Sequence, residues 1–186
     1  MKSMVIVVDM QNGFVRYEQT KILLEKIKQL LSLNVFDVVI GTKFLNASNS
    51  MYTKMFGWKR LMSEQEQKIP QELLQYMDYV EEKYIYNCIN PSFIQRICQL
   101  NDGVMPKEIF LVGADTDCCV LTIATALFEH NIRPIVLTHY CDSNGGASSH
   151  QAGLLSMKRL IGQKQMLDCE ILTKEDVLSC MNEKDC

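Results

Sequence analysis

The chain has no apolar run near the roughly 20 residues that a bilayer crossing needs, which sets aside a membrane span. Its opening stretch, Met4-Val5-Ile6-Val7-Val8, is too short for the core of a signal peptide and lacks a small-residue cleavage site. A leaderless chain is expected in the cytoplasm, where its eight cysteines stay free thiols rather than forming a disulfide framework. There is no CxxC pair and no Cys/His ligand spacing, so no zinc or other metal site is expected. Neither sign of charge dominates. Nineteen Lys and Arg against 22 Asp and Glu leave a formal charge of -3, with the basic residues scattered, which argues against a nucleic-acid partner. Repeats, low-complexity tracts and Pro/Gly/Ser-rich linkers are missing too. One domain over residues 1–186 is therefore expected.

What is present is the globular balance of 47% hydrophobic and 22% charged residues, arranged as short β-branched runs followed by helical stretches. Strands are expected at Val5–Val8, Val35–Gly41, Tyr79–Tyr84, Ile109–Val112, Ile135–Thr138 and Cys169–Leu172. Helices are expected at Thr20–Leu33, from the Asn90-Pro91 cap through Leu100, at Asp117–His130 and at Ser148–Ile161. A last one should open at the capping box Thr173-Lys174-Glu175-Asp176. Such alternation, with continuously apolar strands, implies an α/β fold with a mostly parallel sheet covered on both faces.

Open parallel sheets bind ligands outside the carboxyl ends of their strands. Residues at those ends include Asp9, Thr42-Lys43-Phe44, Lys83 and Gly113-Ala114-Asp115, with Cys119 in the first turn of the helix that follows. The free N–H groups of a helix start, and a nearby Lys83, favour a thiolate at Cys119, and Asp9 could take its proton. Each residue also has a plainer explanation. Cys119 can be an ordinary buried cysteine, Asp9 a helix cap or metal ligand, and Lys83 part of a solvated Glu81-Glu82-Lys83 patch.

Four motifs bear on that choice. Val7-Val8-Asp9-Met10-Gln11-Asn12-Gly13-Phe14 resembles the opening of the isochorismatase-like hydrolases. Gly113-Ala114-Asp115-Thr116-Asp117-Cys118-Cys119-Val120, with Thr122 and Ala126, resembles their nucleophile signature. Lys83-Tyr84-Ile85-Tyr86-Asn87 stands where that family carries its lysine motif, and Cys141-Asp142-Ser143 with His150 resembles its late stretch. The resemblance implies a three-layer α/β/α fold with a six-stranded sheet and a catalytic set of Cys119, Asp9 and Lys83. It also implies a cis peptide at Ala114–Asp115 and an oxyanion hole made by the backbone amides of Asp115 and Cys119. Cys118, about 100° around the helix, is expected to point away.

Departures from the family narrow the reading. Nicotinamidases and pyrazinamidases carry an Asp and several His after the second strand to hold a metal. Here that place reads Thr42-Lys43-Phe44-Leu45-Asn46, and the histidines are His130, His139 and His150. No metal or other cofactor is expected. Asp115 replaces a small residue, and Cys88-Ile89 departs from the family pattern after the lysine motif. The expected activity is hydrolysis of a small amide or carbamoyl C–N bond through a thioester on Cys119. The alternatives are vinyl-ether hydrolysis of the isochorismatase type, a catalytically silent small-molecule binder, and a redox role for Cys118-Cys119. Phe14, Phe44 and Trp58 are the expected substrate-binding residues, although Trp58 would also serve ordinary packing or a subunit contact. Relatives commonly assemble, so a homo-oligomer, dimer or tetramer, is expected.

Overall fold

Val5 and Val7 face one side of β1 (Met4–Val8) while Met4, Ile6 and Val8 face the other, and all five are fully buried. A strand apolar on both faces must lie inside a sheet covered on both sides. The computed structural model, which describes residues 2–182, shows this. The further strands are β2 (Val38–Phe44), β3 (Tyr79–Lys83), β4 (Glu108–Ala114), β5 (Arg133–Asp142) and β6 (Met166–Leu167). They form one six-stranded, wholly parallel sheet in the order β3-β2-β1-β4-β5-β6.

The helices are α1 (Glu18–Ser32), the short α2 (Met51–Phe56), α3 (Glu64–Gln67) and α4 (Gln71–Leu74), then α5 (Pro91–Leu100), α6 (Leu121–Glu129), α7 (Ala147–Leu160) and α8 (Lys174–Asn182). Leu23, Ile27 and Leu30 of α1, Leu73 of α4 and Val177 of α8 cover the Val5/Val7 face. Phe93 and Ile97 of α5, Ile123 and Leu127 of α6 and Met157 of α7 cover the other. Each such side chain contributes about 1.5–3 kcal/mol on burial, so the two faces of the sheet carry the stability. Among the described residues no helix is long and apolar enough to cross a membrane.

The chain runs outward from β1 to β3, returns to place β4 beside β1, and continues to β6. That reversal leaves a crevice at the carboxyl ends of β1 and β4. The two strands press together there. Gly113 has φ 118°, and a Cβ on it would lie 2.3 Å from the Val8 carbonyl oxygen, so only glycine fits without displacing β1.

Several boundaries differ from expectation, each for a local reason. Before β2, Asp37 accepts from the Ser3 amide at 2.7 Å and the Ser3 hydroxyl at 2.8 Å, and its own amide donates to the Ser3 carbonyl. This holds Val35 and Phe36 buried but outside the ladder, so Thr42-Lys43-Phe44 lies within β2 rather than after it. The expected last strand, Cys169–Leu172, is not one; β6 forms earlier, against Val136 and Leu137. Ile171 is buried all the same, because the Tyr140 hydroxyl accepts from its amide at 3.2 Å in place of a strand partner. The capping box forms as expected, with Asp176 Oδ2 accepting from the Thr173 amide and Thr173 Oγ1 from the Asp176 amide.

The expected helix from Asp117 begins instead as a wide turn over Thr116–Val120. Its closing bond runs from the Val120 amide to the Asp115 carbonyl five residues back, 3.1 Å, a geometry that recurs at functional sites. Helix α7 packs directly on this turn through Gly153, where a Cβ would meet the Asp117 Cα at 2.7 Å.

Candidate active site

Asp9 follows β1 directly with a left-handed backbone, φ 50°, which costs energy in a residue other than glycine. Thr42 of β2 holds it there. The Thr42 hydroxyl accepts from the Asp9 amide at 3.0 Å and donates to Asp9 Oδ1 at 2.6 Å. Lys83 ends β3 and is paired with Phe44 across the ladder, its ammonium lying 4.9 Å from the Phe44 ring centre. Cys119 comes from the wide turn after β4.

The three side chains meet. Lys83 Nζ lies 2.7 Å from Asp9 Oδ2, a charge contact not aligned as a hydrogen bond. It donates to Cys119 Sγ at 3.2 Å and approaches the carbonyls of Tyr86 at 3.2 Å and Ile85 at 3.3 Å. All three are buried. For Lys83, burial works against the charge, but it is outweighed, chiefly by the Asp9 carboxylate, and the ammonium is held well above its ordinary pKa.

Cys119 departs from the thiolate expected of a helix start beside a lysine. Burial first, and then the Asp9 carboxylate, push the thiol well above its usual range, and the pull of Lys83 does not offset them. The resting arrangement is therefore a Lys83–Asp9 ion pair with a neutral thiol, which leaves no uncompensated charge in the buried cluster.

Cys119 opens into a cavity of about 380 Å³, a size suited to a small molecule. Phe14, Phe44 and Trp58 all line it, joined by Tyr52, Phe56 and Tyr86. Phe14 stacks on Trp58 with ring centres 6.0 Å apart, and Tyr52 meets Tyr86 edge-on at 5.1 Å. Gln11 holds Phe44 in position. Its amide oxygen accepts from the Phe44 N–H at 2.7 Å, and its nitrogen donates to the Phe44 carbonyl at 3.0 Å.

Cys118 also lines the cavity, contrary to the expectation that it points away. The bond spanning five residues widens the turn, so adjacent residues share a side that an α-helix would separate. Its thiol is pushed up to about 12 by burial, Asp117 and Asp115. The Ala114–Asp115 peptide is cis, as the motif implies. Sequence reasoning missed Thr42 as the Asp9 anchor, and it missed Asn144, which lines the cavity from beyond β5. A threonine at the carboxyl end of the strand beside β1 was a signal for the first; Asn144 left none.

The position after β2 does not suit a metal. Asn46 commits its side chain to the loop, donating to the carbonyls of Trp58 and Arg60 and accepting from the Ala47 amide and the Ser50 hydroxyl. Among the described residues no group of three His, Cys, Asp or Glu side chains stands together as a ligand set.

The fold has solved counterparts. An isochorismatase-like hydrolase from Alkaliphilus metalliredigens matches with a TM-score of 0.75 at 14% identity, over 98% of this chain and 100% of that one. The nicotinamidase of Bacillus subtilis matches with a TM-score of 0.70 at 18% identity, over 87% and 97%. The pyrazinamidase of Pyrococcus horikoshii, solved in complex with zinc, matches with a TM-score of 0.69 at 15% identity, also over 87% and 97%. No curated protein sequence matches the chain. The isochorismatase domain model matches residues 3–167, from just before β1 through β6, and the chain thus belongs to the isochorismatase family.

Proposed function

We propose that this protein is a cysteine hydrolase that cleaves a small amide or carbamoyl C–N bond through a thioester on Cys119. The observation that carries the proposal is the contact of one Lys83 ammonium with both Asp9, at 2.7 Å, and Cys119, at 3.2 Å, beside a small-molecule-sized cavity. Because the resting thiol is neutral, it has to lose its proton as it attacks. Cys119 Sγ forms a bond to the carbonyl carbon while the proton passes to the Asp9 carboxylate. The backbone amides of Asp115 and Cys119 hold the resulting oxyanion.

Collapse breaks the C–N bond, and Asp9 returns the proton to the leaving nitrogen. Water then adds to the thioester, giving its proton to Asp9, and the acid leaves as Cys119 regains a thiol. Lys83 remains an ammonium throughout and stabilises whichever neighbour carries the negative charge. Membership of a hydrolase family and a fold shared with nicotinamidases support the reading.

The test is ammonia release across a panel of small amides and carbamoyl compounds. Cys119→Ala should lose on the order of 10²-fold or more, and intact-mass measurement with a slow substrate should find an acyl adduct on Cys119. Full activity in Cys119→Ala would refute the thioester and favour acid-catalysed hydrolysis that needs no thiol.

A further inference from the structure

The aromatic wall accounts for one side of the cavity. On another, one carboxylate oxygen at the cavity wall has no donor among the described residues. Asp115 lines the cavity, and both hydrogen bonds to its carboxylate converge on Oδ1, from the Asn144 amide at 2.8 Å and the Asn144 side-chain nitrogen at 2.7 Å. Oδ2 has no donor among the described residues. Asn144 turns its own amide nitrogen toward Asp115, which leaves its Oδ1 buried and without any partner. A buried acceptor left unsatisfied is costly and rare in native structures. Asn144 Oδ1 is closed off from the cavity, whereas Asp115 Oδ2 is not, so Asp115 Oδ2 is the acceptor open to a donor from outside the chain.

We infer that Asp115, held in place by Asn144, forms an acceptor subsite that receives a protonated nitrogen of the substrate, an ammonium or amidinium group, close to Cys119. The inference rests on the proposed amide hydrolysis and narrows its substrate class to small amides that carry a cationic end. Charge supports the assignment. Burial, outweighing the Asn144 hydrogen bonds, pushes the Asp115 carboxyl up to about 6, with Asp117 and Asp9 adding to the rise. A cation bound to Oδ2 would supply the counter-charge that this side chain lacks. Arg16 also lines the cavity, but it lies over the exposed Tyr17 ring at 5.2 Å and donates to the Tyr17 hydroxyl. An anionic end would be drawn there instead.

Matched amides decide between them. Glycinamide, propionamide and malonamate differ in carrying an ammonium, a methyl or a carboxylate at one distance from the amide; β-alaninamide, butyramide and succinamate repeat the series one carbon longer. At one of these lengths the ammonium amide should exceed its neutral partner at least tenfold in kcat/KM. Asp115→Asn, which keeps an oxygen for the Asn144 donors, should reduce that ratio to within about threefold, and Asn144→Ala should reduce it partly. Calorimetric binding of the same amides to Cys119→Ala, with and without Asp115→Asn, reads the subsite independently of turnover.

Asp115-dependent binding of ammonium amides with no hydrolysis of any amide by the wild type would sink the amidase reading and leave the subsite standing. Hydrolysis with a preference unchanged by Asp115→Asn would do the reverse. A preference for malonamate or succinamate, or failure of all six compounds to bind, would overturn the subsite.

Discussion

Two clusters of a lysine, an aspartate and a small nucleophilic side chain lie at opposite ends of the same sheet. At the carboxyl end Lys83 stands 2.7 Å from Asp9 and 3.2 Å from Cys119. At the amino end Lys174 stands 2.6 Å from Asp37 and 2.8 Å from Ser3. Distance does not distinguish them; burial does. The Lys83 and Asp9 side chains are 2% and 0% exposed, those of Lys174 and Asp37 36% and 41%. Water screens the outer pair. The inner pair is dry, and its charges act on a thiol at the wall of an aromatic chamber. The comparison teaches that the three residue types in contact do not distinguish the clusters; exclusion of water and an adjoining space set the inner one apart.

Breaking each pair should expose the contrast most strongly. Lys83→Met leaves the Asp9 carboxylate buried without a counter-ion and should cost about 3–5 kcal/mol in denaturant unfolding. Lys174→Met should fall within about 1 kcal/mol of wild type. Equal losses would mean that the outer cluster is held as tightly as the inner one.

Asp9→Asn sharpens the comparison chemically. Turnover should fall on the order of 10²-fold or more, because an amide cannot take and return the proton. Alkylation of Cys119 by iodoacetamide at pH 7 should rise on the order of tenfold. Removing the carboxylate takes away one of the causes that raise the thiol pKa, leaving Lys83 to lower it. Asp37→Asn should change neither rate, as peptide mapping and ammonia assays would show.

The smallest effect is acid sensitivity at the outer pair. Burial works to raise the Asp37 pKa, but hydrogen bonds from Lys174 and Ser3 outweigh it and hold the group below its ordinary value. Folded Asp37 therefore binds its proton less readily than the unfolded chain does. Its contribution is whole above roughly pH 4 and is lost as the pH falls through the depressed folded value. Urea midpoints at pH 6 and pH 3 should drop slightly less in Asp37→Asn than in wild type; an equal drop would remove Asp37 from the acid response.

How legible the site was in the sequence depended on the local chain. Asp9 could be read because a carboxylate after a continuous apolar strand needs a reason to be buried. Lys83 could not be read from pattern alone. In β3, an edge strand, Glu82 pairs with Lys43 outside while Lys83 turns inward, so the run looked solvated until the family motif placed it. Cys118 was misplaced because α-helical spacing was assumed where the chain makes a wider turn. The last strand was misplaced because apolar, β-branched residues mark burial, and Ile171 is buried against a tyrosine hydroxyl instead of a ladder. Asn144 was invisible because its partner Asp115 lies 29 residues earlier, and no local pattern encodes so distant a contact.

The loop after β2 is anchored mainly through main-chain atoms. Asn46 grips the carbonyls of Trp58 and Arg60, and Gln67 that of Leu61. Carbonyls are the same whatever side chain they belong to, so these anchors place no demand on the side chains of Trp58, Arg60 and Leu61. Tyr52, Phe56 and Trp58, which give the chamber its shape, belong to that stretch. In engineering terms the loop is an exchangeable cartridge. Point changes there would alter what the chamber admits, while Asp9, Lys83 and Cys119 stay fixed at strand ends and in the turn beyond β4.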